Sequence, residues 1–213
     1  MAKGPRRTRE PLDRHRVAHA ALKIADREGL GAVTMRRVGD ELGVEAMSLY
    51  HHFRGKEELV AAMSDLLIDE IDVPPPTDDW KADIRARALA ARAMRRRHPW
   101  APALLGAGPR VGAALFRYLD GIVAILRGAG FSRQLTHHAM HVLDSRLLGF
   151  TRDLLDPAEM SLRMPKSETV VPFELPAMAE AFVGVKHDEE REFAFALDLI
   201  LHGLERARDT VGV

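Results

Sequence analysis

The chain has 213 residues, 46% of them hydrophobic, with 31 Lys/Arg against 31 Asp/Glu and no cysteine. That length and apolar content suit one or two domains with a real core. The missing cysteine excludes disulfides and thiolate metal sites, and no apolar run reaches the roughly 18 residues of a membrane span.

Residues 1–12 carry Lys3, Arg6, Arg7 and Arg9 beside Pro5 and Pro11. They read as an unstructured basic arm, either laid on phosphates or serving as a solubilising tail. No apolar run follows, so no secretion signal is expected and the protein is placed in the cytoplasm. A first helix is expected over residues 13–28, with Val17, Ala20, Ala21, Ile24 and Ala25 at helical spacing and Gly29 and Gly31 closing it. Thr34 is suited to cap a second helix that ends at Leu42, where Gly43 favours a left-handed stop. A third helix is expected over about residues 45–51, offering Leu49 and Phe53 to a core and leaving Tyr50 and His52 free. A fourth starts near Lys56 and runs to about Ile71, with Leu59, Ala62, Met63, Leu66 and Leu67 on one side, before Val73-Pro-Pro-Pro stops it.

The rest also reads helical, so the fold class is all-α. Residues 80–98 place Ile84, Ala88, Leu89 and Met94 inward. Pro99 interrupts, and residues 100–106 form an irregular apolar link or short helix. Residues 111–127 follow with Leu115, Leu119, Ile122, Val123 and Leu126. Gly128-Ala-Gly130 is a turn, and Ser132 caps a helix expected to reach about Leu155 with Leu135, Ala139, Val142, Leu143, Leu147 and Phe150. A mobile loop is expected over 156–175 and a short helix over 176–182. The last helix, about 188–208, carries Phe193, Leu197, Ile200, Leu204 and Ala207 on one stripe. Its acids lie at the start and Arg206 and Arg208 at the end, complementing the helix dipole. Gly203 inside it costs about 1 kcal/mol of helix propensity, which points to close approach of another helix.

Two short helices around a tight turn, with one residue pair buried and the next turned out, are the layout of a helix-turn-helix that seats its second helix in a DNA major groove. Charge agrees. Residues 1–56 hold 12 Lys/Arg and 7 Asp/Glu, the remainder 19 and 24, so a basic head precedes an acidic body. Arg36 suits a phosphate or a guanine edge, and Ala46 and Met47 can offer apolar contact to thymine methyl groups. Tyr50, His52 and Lys56 suit phosphates, and Ser48 a phosphate, a base or a local cap.

Thr34, Arg36, Val38, Leu42, Gly43, Val44, Leu49, Tyr50, Phe53, Lys56 and Leu59 at this spacing resemble the DNA-binding head of the TetR family of bacterial transcriptional regulators. One departure is Gly39, where that family usually has Ala. Farther on, Phe195 to Arg206 resembles the final dimerisation helix of the tetracycline-repressor subgroup, and Gly130-Phe131-Ser132 with its long helix resembles the subgroup's central pair. The resemblance covers about residues 13–208, most closely up to 60. It implies a DNA-binding domain over residues 1–56 and a ligand-binding and dimerisation domain over 57–213. It also implies a homodimer on a palindromic double-stranded operator, through a four-helix contact including Leu143, Leu147, Phe193, Leu197, Ile200, Gly203 and Leu204. Thr34 joins the implied DNA-contact set.

In that subgroup histidine and polar side chains hold a magnesium–drug chelate. The matching position near Leu104-Leu105-Gly106 is apolar here, and Ile68-Asp69-Glu70 has no histidine, so another ligand is expected. A pocket of Trp100, Leu104, Leu105, Phe116, Leu119, Met140 and Phe150, with His138 and Arg146 for polar contacts, suits a hydrophobic or aromatic small molecule; the same residues also read as plain core. The expected function is a ligand-responsive repressor. The alternatives are an activator on the same fold or an architectural DNA-binding protein without a ligand. His137, His138, His141 and Asp144 on one helix read as a polar face rather than a metal site. No phosphate loop, nucleophile elbow or zinc-protease motif is present, so neither an enzyme nor a cofactor is expected.

Overall fold

The computed structural model describes residues 11–107, 112–147 and 188–211, and the described residues are helices and turns with no strand. The chain divides into two compact units, Met1–Phe150 and Thr151–Val213.

In the first unit, α1 spans Arg14–Glu28. Asp13 caps it, its carboxylate accepting from the Arg16 amide at 2.7 Å. Val17, Ala18, Ala20, Ala21, Leu22, Ile24 and Ala25 are its buried face. Gly29 ends it at φ 83°, a conformation that side chains other than glycine's rarely adopt. A 3₁₀ turn over Leu30–Ala32 leads to α2, Met35–Leu42. The Thr34 hydroxyl accepts from the Arg37 amide at 3.1 Å, and Gly43 stops the helix in the left-handed region at φ 65°. α3 is shorter than its periodicity suggests, Ala46–Leu49. Glu45 at its cap makes no side-chain cap bond. After Leu49 the His52 and Phe53 amides both return to the Leu49 carbonyl at 2.9 Å, and the chain leaves the helix in a turn. Gly39 has a steric reason: a Cβ there would lie 2.9 Å from the Val44 carbonyl oxygen and 3.2 Å from the Ala46 amide nitrogen.

α4, Lys56–Asp69, buries Leu59, Val60, Met63, Ser64, Leu67 and Ile68 and packs on α1. α5 is Trp80–Arg97, capped by Asp79, which accepts from the Lys81 and Ala82 amides. The apolar link resolves into α6, Ala101–Ala107. α7 is Ala113–Gly128 and α8 is Arg133–Leu147, the latter started by Ser132, whose hydroxyl accepts from the Leu135 amide at 3.1 Å. α4 packs on α6 and α7, and α5, α7 and α8 pack on one another. Two inward expectations fail. Leu89 and Val142 are exposed, because Ile84, Ala88, Ala91 and Met94 already fill the inner arc of α5, and Ala139 and Leu143 that of α8.

In the second unit, α9 spans Glu189–Val211, and the Asp188 carboxylate accepts from the Arg191 amide at 3.0 Å. Phe193, Leu197 and Leu204 are buried as the stripe suggests, but the fourth buried position is Leu201, and Ile200 is half-buried. Residues 1–10 of the arm, the expected loop over 156–175 and the expected helix over 176–182 lie outside the described residues.

Candidate nucleic-acid interface and its link to the body

Burial of Leu49 and Phe53, both fully enclosed, fixes how the turn of the head presents itself. Tyr50 follows Leu49 by about 100° around the helix and stands 47% exposed; Met47 stands 70% exposed. Ala46, Ser48 and His52 are half-buried, and Thr34 and Lys56 are exposed. Two neighbouring arginines take different roles. Arg37 pairs with Glu28 at 2.7 Å and with Glu41 at 3.1 Å, and Arg27 joins Glu41 at 2.7 Å. These bonds hold both carboxyls below the ordinary carboxylate range, the hydrogen bond from Arg37 leading at Glu28 and that from Arg27 at Glu41. Arg36, one residue earlier, is exposed and makes no ion pair among the described residues. It borders an open cleft with Gly39, Asp40, Gly43, Val44, Glu45 and Ala46. Hence Arg36 and the start of α3 border one cleft, while Met47 within α3 and Tyr50 just after it stand exposed.

Three of the acids on α4, Glu58, Asp65 and Asp69, reach other elements, and Glu70 just past its end joins them. Glu58 accepts from Arg14 of α1 at 2.8 Å and from the Arg54 amide at 2.8 Å. The amide, then Arg14, hold its carboxyl below the ordinary range. Arg14 also lies over the Phe53 ring at 4.3 Å and donates to the His52 carbonyl, so it clamps the turn. Asp65 accepts from the Ala114 amide at 2.7 Å and thereby caps α7 from another helix. Gly112 holds the cap position itself without a side chain, and a Cβ there would run into the Asp65 carboxylate. Asp69 lies 4.0 Å from Arg117 of α7. Glu70, the residue that ends α4, meets His98 Nε2 at 3.0 Å, while Nδ1 of the same ring meets Asp26 of α1 at 2.7 Å. His98 is buried, and the Trp100 indole N–H donates to the same Asp26 oxygen at 2.8 Å. Helix α1, the end of α4 and the end of α5 therefore meet at one imidazole.

Sequence reasoning missed Asp26, Asp65, Glu70 and His98. One signal existed for Asp65: α7 begins after Gly112 with no Ser, Thr, Asp or Asn to cap it, so its first amides need a partner from elsewhere. The expected effector pocket fares less well. Leu104 and Leu105 are buried, and Leu119 and Met140 half-buried. Phe116 is 66% exposed and His138 is exposed, so neither lines an enclosed cavity; both point away from the arcs by which α7 and α8 pack. Trp100 is committed to Asp26. The side chains of Arg146, Leu147 and Phe150 lie outside the described residues. A cleft of about 470 Å³ between α5 and α7 is lined by other residues, among them Trp80, Asp83, Arg87, Gly121 and Ile125. Ser64, buried on α4, keeps a hydroxyl with no hydrogen-bond partner among the described residues. Of the dimer-contact residues, Leu143, Phe193, Leu197 and Leu204 are buried within the single chain. The large apolar residues that α9 exposes, among the described residues, are Phe195 and Leu199. No described helix is long and apolar enough to cross a membrane, and the described residues contain no group of three or more metal-ligating side chains.

Residues 18–63 match the family model described as bacterial regulatory proteins, tetR family, and residues 73–208 match the tetracyclin repressor-like C-terminal domain. The chain is 31% identical to the HTH-type transcriptional repressor DrrR1 of Streptomyces coeruleorubidus, over 96% of this chain and 80% of the relative. Among solved structures it is similar to a "possible TetR family transcriptional regulator" of Streptomyces coelicolor A3(2), with a TM-score of 0.78 and 27% identity, covering 92% of this chain and 100% of that one. It shares its fold with the Streptomyces coelicolor TetR family protein ActR in complex with (S)-DNPA, with a TM-score of 0.72 and 24% identity, covering 93% of this chain and 100% of that one.

Proposed function

We propose that the protein is a ligand-responsive repressor, starting from what the matches establish: the chain belongs to the TetR family of bacterial transcriptional regulators. Regulators of this family bind DNA and small-molecule effectors. One observation carries the reading for this chain: Leu49 and Phe53 are enclosed while Arg36, Met47 and Tyr50 remain exposed around a single turn. In this reading α3 enters the major groove. Arg36 reaches a guanine edge or a phosphate, and Ala46 and Met47 meet thymine methyl groups. Thr34, Ser48, Tyr50, His52 and Lys56 hold the backbone. The head over residues 1–56 is the DNA-binding part, residues 57–213 take effector and partner, and the protein works in the cytoplasm.

A two-fold dimer sets two heads about 34–36 Å apart along a palindromic operator. We assign the dimer contact to α9. Phe195, Leu199 and Gly203 follow one another at i, i+4 and i+8, the first two are exposed, and a Cβ at Gly203 would meet nothing within 4 Å. Such a row suits close approach of a second helix. The effector is a small hydrophobic or aromatic molecule held against α4, where the Ser64 hydroxyl awaits a partner. It releases DNA by favouring a spacing of heads that the groove does not fit. The bonds from Glu58, Asp65 and Glu70 give α4 a grip on head and body at once, and so a route for that change. Titration of labelled duplexes tests the reading. Binding to duplexes selected from the genome should weaken steeply with salt and far exceed binding to unrelated sequence. Salt-independent binding without sequence preference contradicts it.

A further inference from the structure

Two histidines of α1 have no part in the interface or its link to the body. His15 and His19 stand one turn apart, their Nε2 atoms 3.2 Å from each other and their rings edge to face with centroids 4.3 Å apart. We propose that His15 and His19 form a chelating site for a borderline divalent transition-metal ion of the Zn²⁺, Ni²⁺ and Cu²⁺ class, with water filling the remaining positions.

The geometry is that of a shared ligand pair. Two imidazole nitrogens bound at about 2.0–2.1 Å and separated as here subtend about 100° at the ion, between the square-planar and tetrahedral angles. The i,i+4 spacing puts both rings on one face of α1, and the same nitrogen of each ring already converges. Binding needs neutral imidazole. Burial first, then the charge of His15, lowers the pKa of His19, which favours its neutral form. Glu70 lies near enough to act on His19 in the opposite direction, and its negative charge favours a cation there; Lys23 opposes one. With no third protein ligand among the described residues, the site belongs with exchangeable, water-filled chelates rather than closed structural zinc. An ion held there braces a turn of the helix that carries Arg14 and Asp26, and it stabilises the folded chain by an amount that grows with the logarithm of the free-ion concentration above the dissociation constant.

The test is calorimetric titration of the full-length, untagged protein with Zn²⁺, alongside its thermal midpoint with and without the ion. His137 and His141 supply a control, being a second i,i+4 pair whose rings lie 4.6 Å apart. The proposal expects binding and an upward thermal shift in the native protein. Binding should weaken at least roughly tenfold in His15→Ala and in His19→Ala, with a smaller thermal shift, and both should persist in the doubly substituted His137→Ala/His141→Ala protein. Circular dichroism of the exposed His15→Ala variant confirms that its helix is intact. Absence of heat and shift at millimolar Zn²⁺ overturns the proposal, as does binding that survives both α1 variants or disappears only with His137 and His141.

Discussion

The turn of the head and the helical body are held together over different distances along the chain. Between Thr34 and Phe53 the defining bonds are local: the Thr34 cap to Arg37, the Gly43 stop, and the returns to the Leu49 carbonyl. From His98 onward to α8 the defining bonds are remote, such as His98 to Asp26, Ala114 to Asp65 and Tyr118 to the Arg87 carbonyl at 3.0 Å. The first kind of region takes most of its shape from its own residues, with Arg14 clamping its end. The second takes it from α1, α4 and α5 together, so a displacement of α4 alters the body and the head's footing at once.

The largest effect should come from the junction of the two regions. His98→Ala leaves Asp26 and Glu70 without their shared partner. With both acids about one-third exposed, the expected cost is about 2 kcal/mol, read from urea unfolding. Effector release of DNA should also be blunted, since α1 and α4 lose their common contact. An unchanged unfolding midpoint would show that the junction holds nothing together. Within the head, the neighbouring arginines should separate. Arg36→Ala should weaken operator binding by about 1–3 kcal/mol at unchanged stability. Arg37→Ala should act chiefly on stability, because its guanidinium is committed to Glu28 and Glu41. Equal losses of DNA affinity in duplex titrations would erase the distinction.

Two helix caps, one local and one remote, carry the same contrast. Thr34→Ala and Asp65→Ala should each cost about 1 kcal/mol of stability. The first should impair DNA binding directly, whereas the second should spare it in the absence of effector and weaken the effector response. If both variants behave alike in DNA titrations with and without effector, local and remote caps do the same job. The smallest effect is acid sensitivity of the head. Glu28, Glu41 and Glu58 are all lowered from 4.5. Their contribution to stability is therefore complete above that value and is lost as pH falls below it, through the folded-state values. Neutralising one of them, as in Glu41→Gln, should flatten that part of the stability–pH curve.

The same contrast explains what could be read from residues alone. Thr34, Gly43, Leu49 and Phe53 act within a few positions of themselves, so the caps, the helix stops and the exposed Tyr50 were legible. Position-by-position burial in the body was only partly so. Periodicity finds Ile84, Met94, Ile122 and Leu197, but it cannot tell Leu89 or Phe116 from core, because the width of each buried arc depends on which helix packs opposite. Leu201 continues the i,i+4 row of Phe193 and Leu197 and is buried with them, whereas Ile200 at the other edge of the stripe is half-buried. The polar links escaped for a related reason. Nothing near His98 in the chain indicates Asp26, 72 residues away, and an acid such as Asp65 on a helix surface ordinarily reads as solvated. Only the uncapped start of α7 hinted at it.

In the proposed reading exposed Arg36, Met47 and Tyr50, doubled by a two-fold contact, read a palindromic operator. Sequencing the genomic fragments retained by the unmodified protein tests it most directly. The expected result is an inverted repeat whose half-sites are centred about one helical turn, or a multiple of it, apart. Tyr50→Ala and the exposed-row variant Leu199→Glu should both fail to enrich that repeat. Fragments with no common sequence, or a single unrepeated half-site bound equally well by Leu199→Glu, would contradict it.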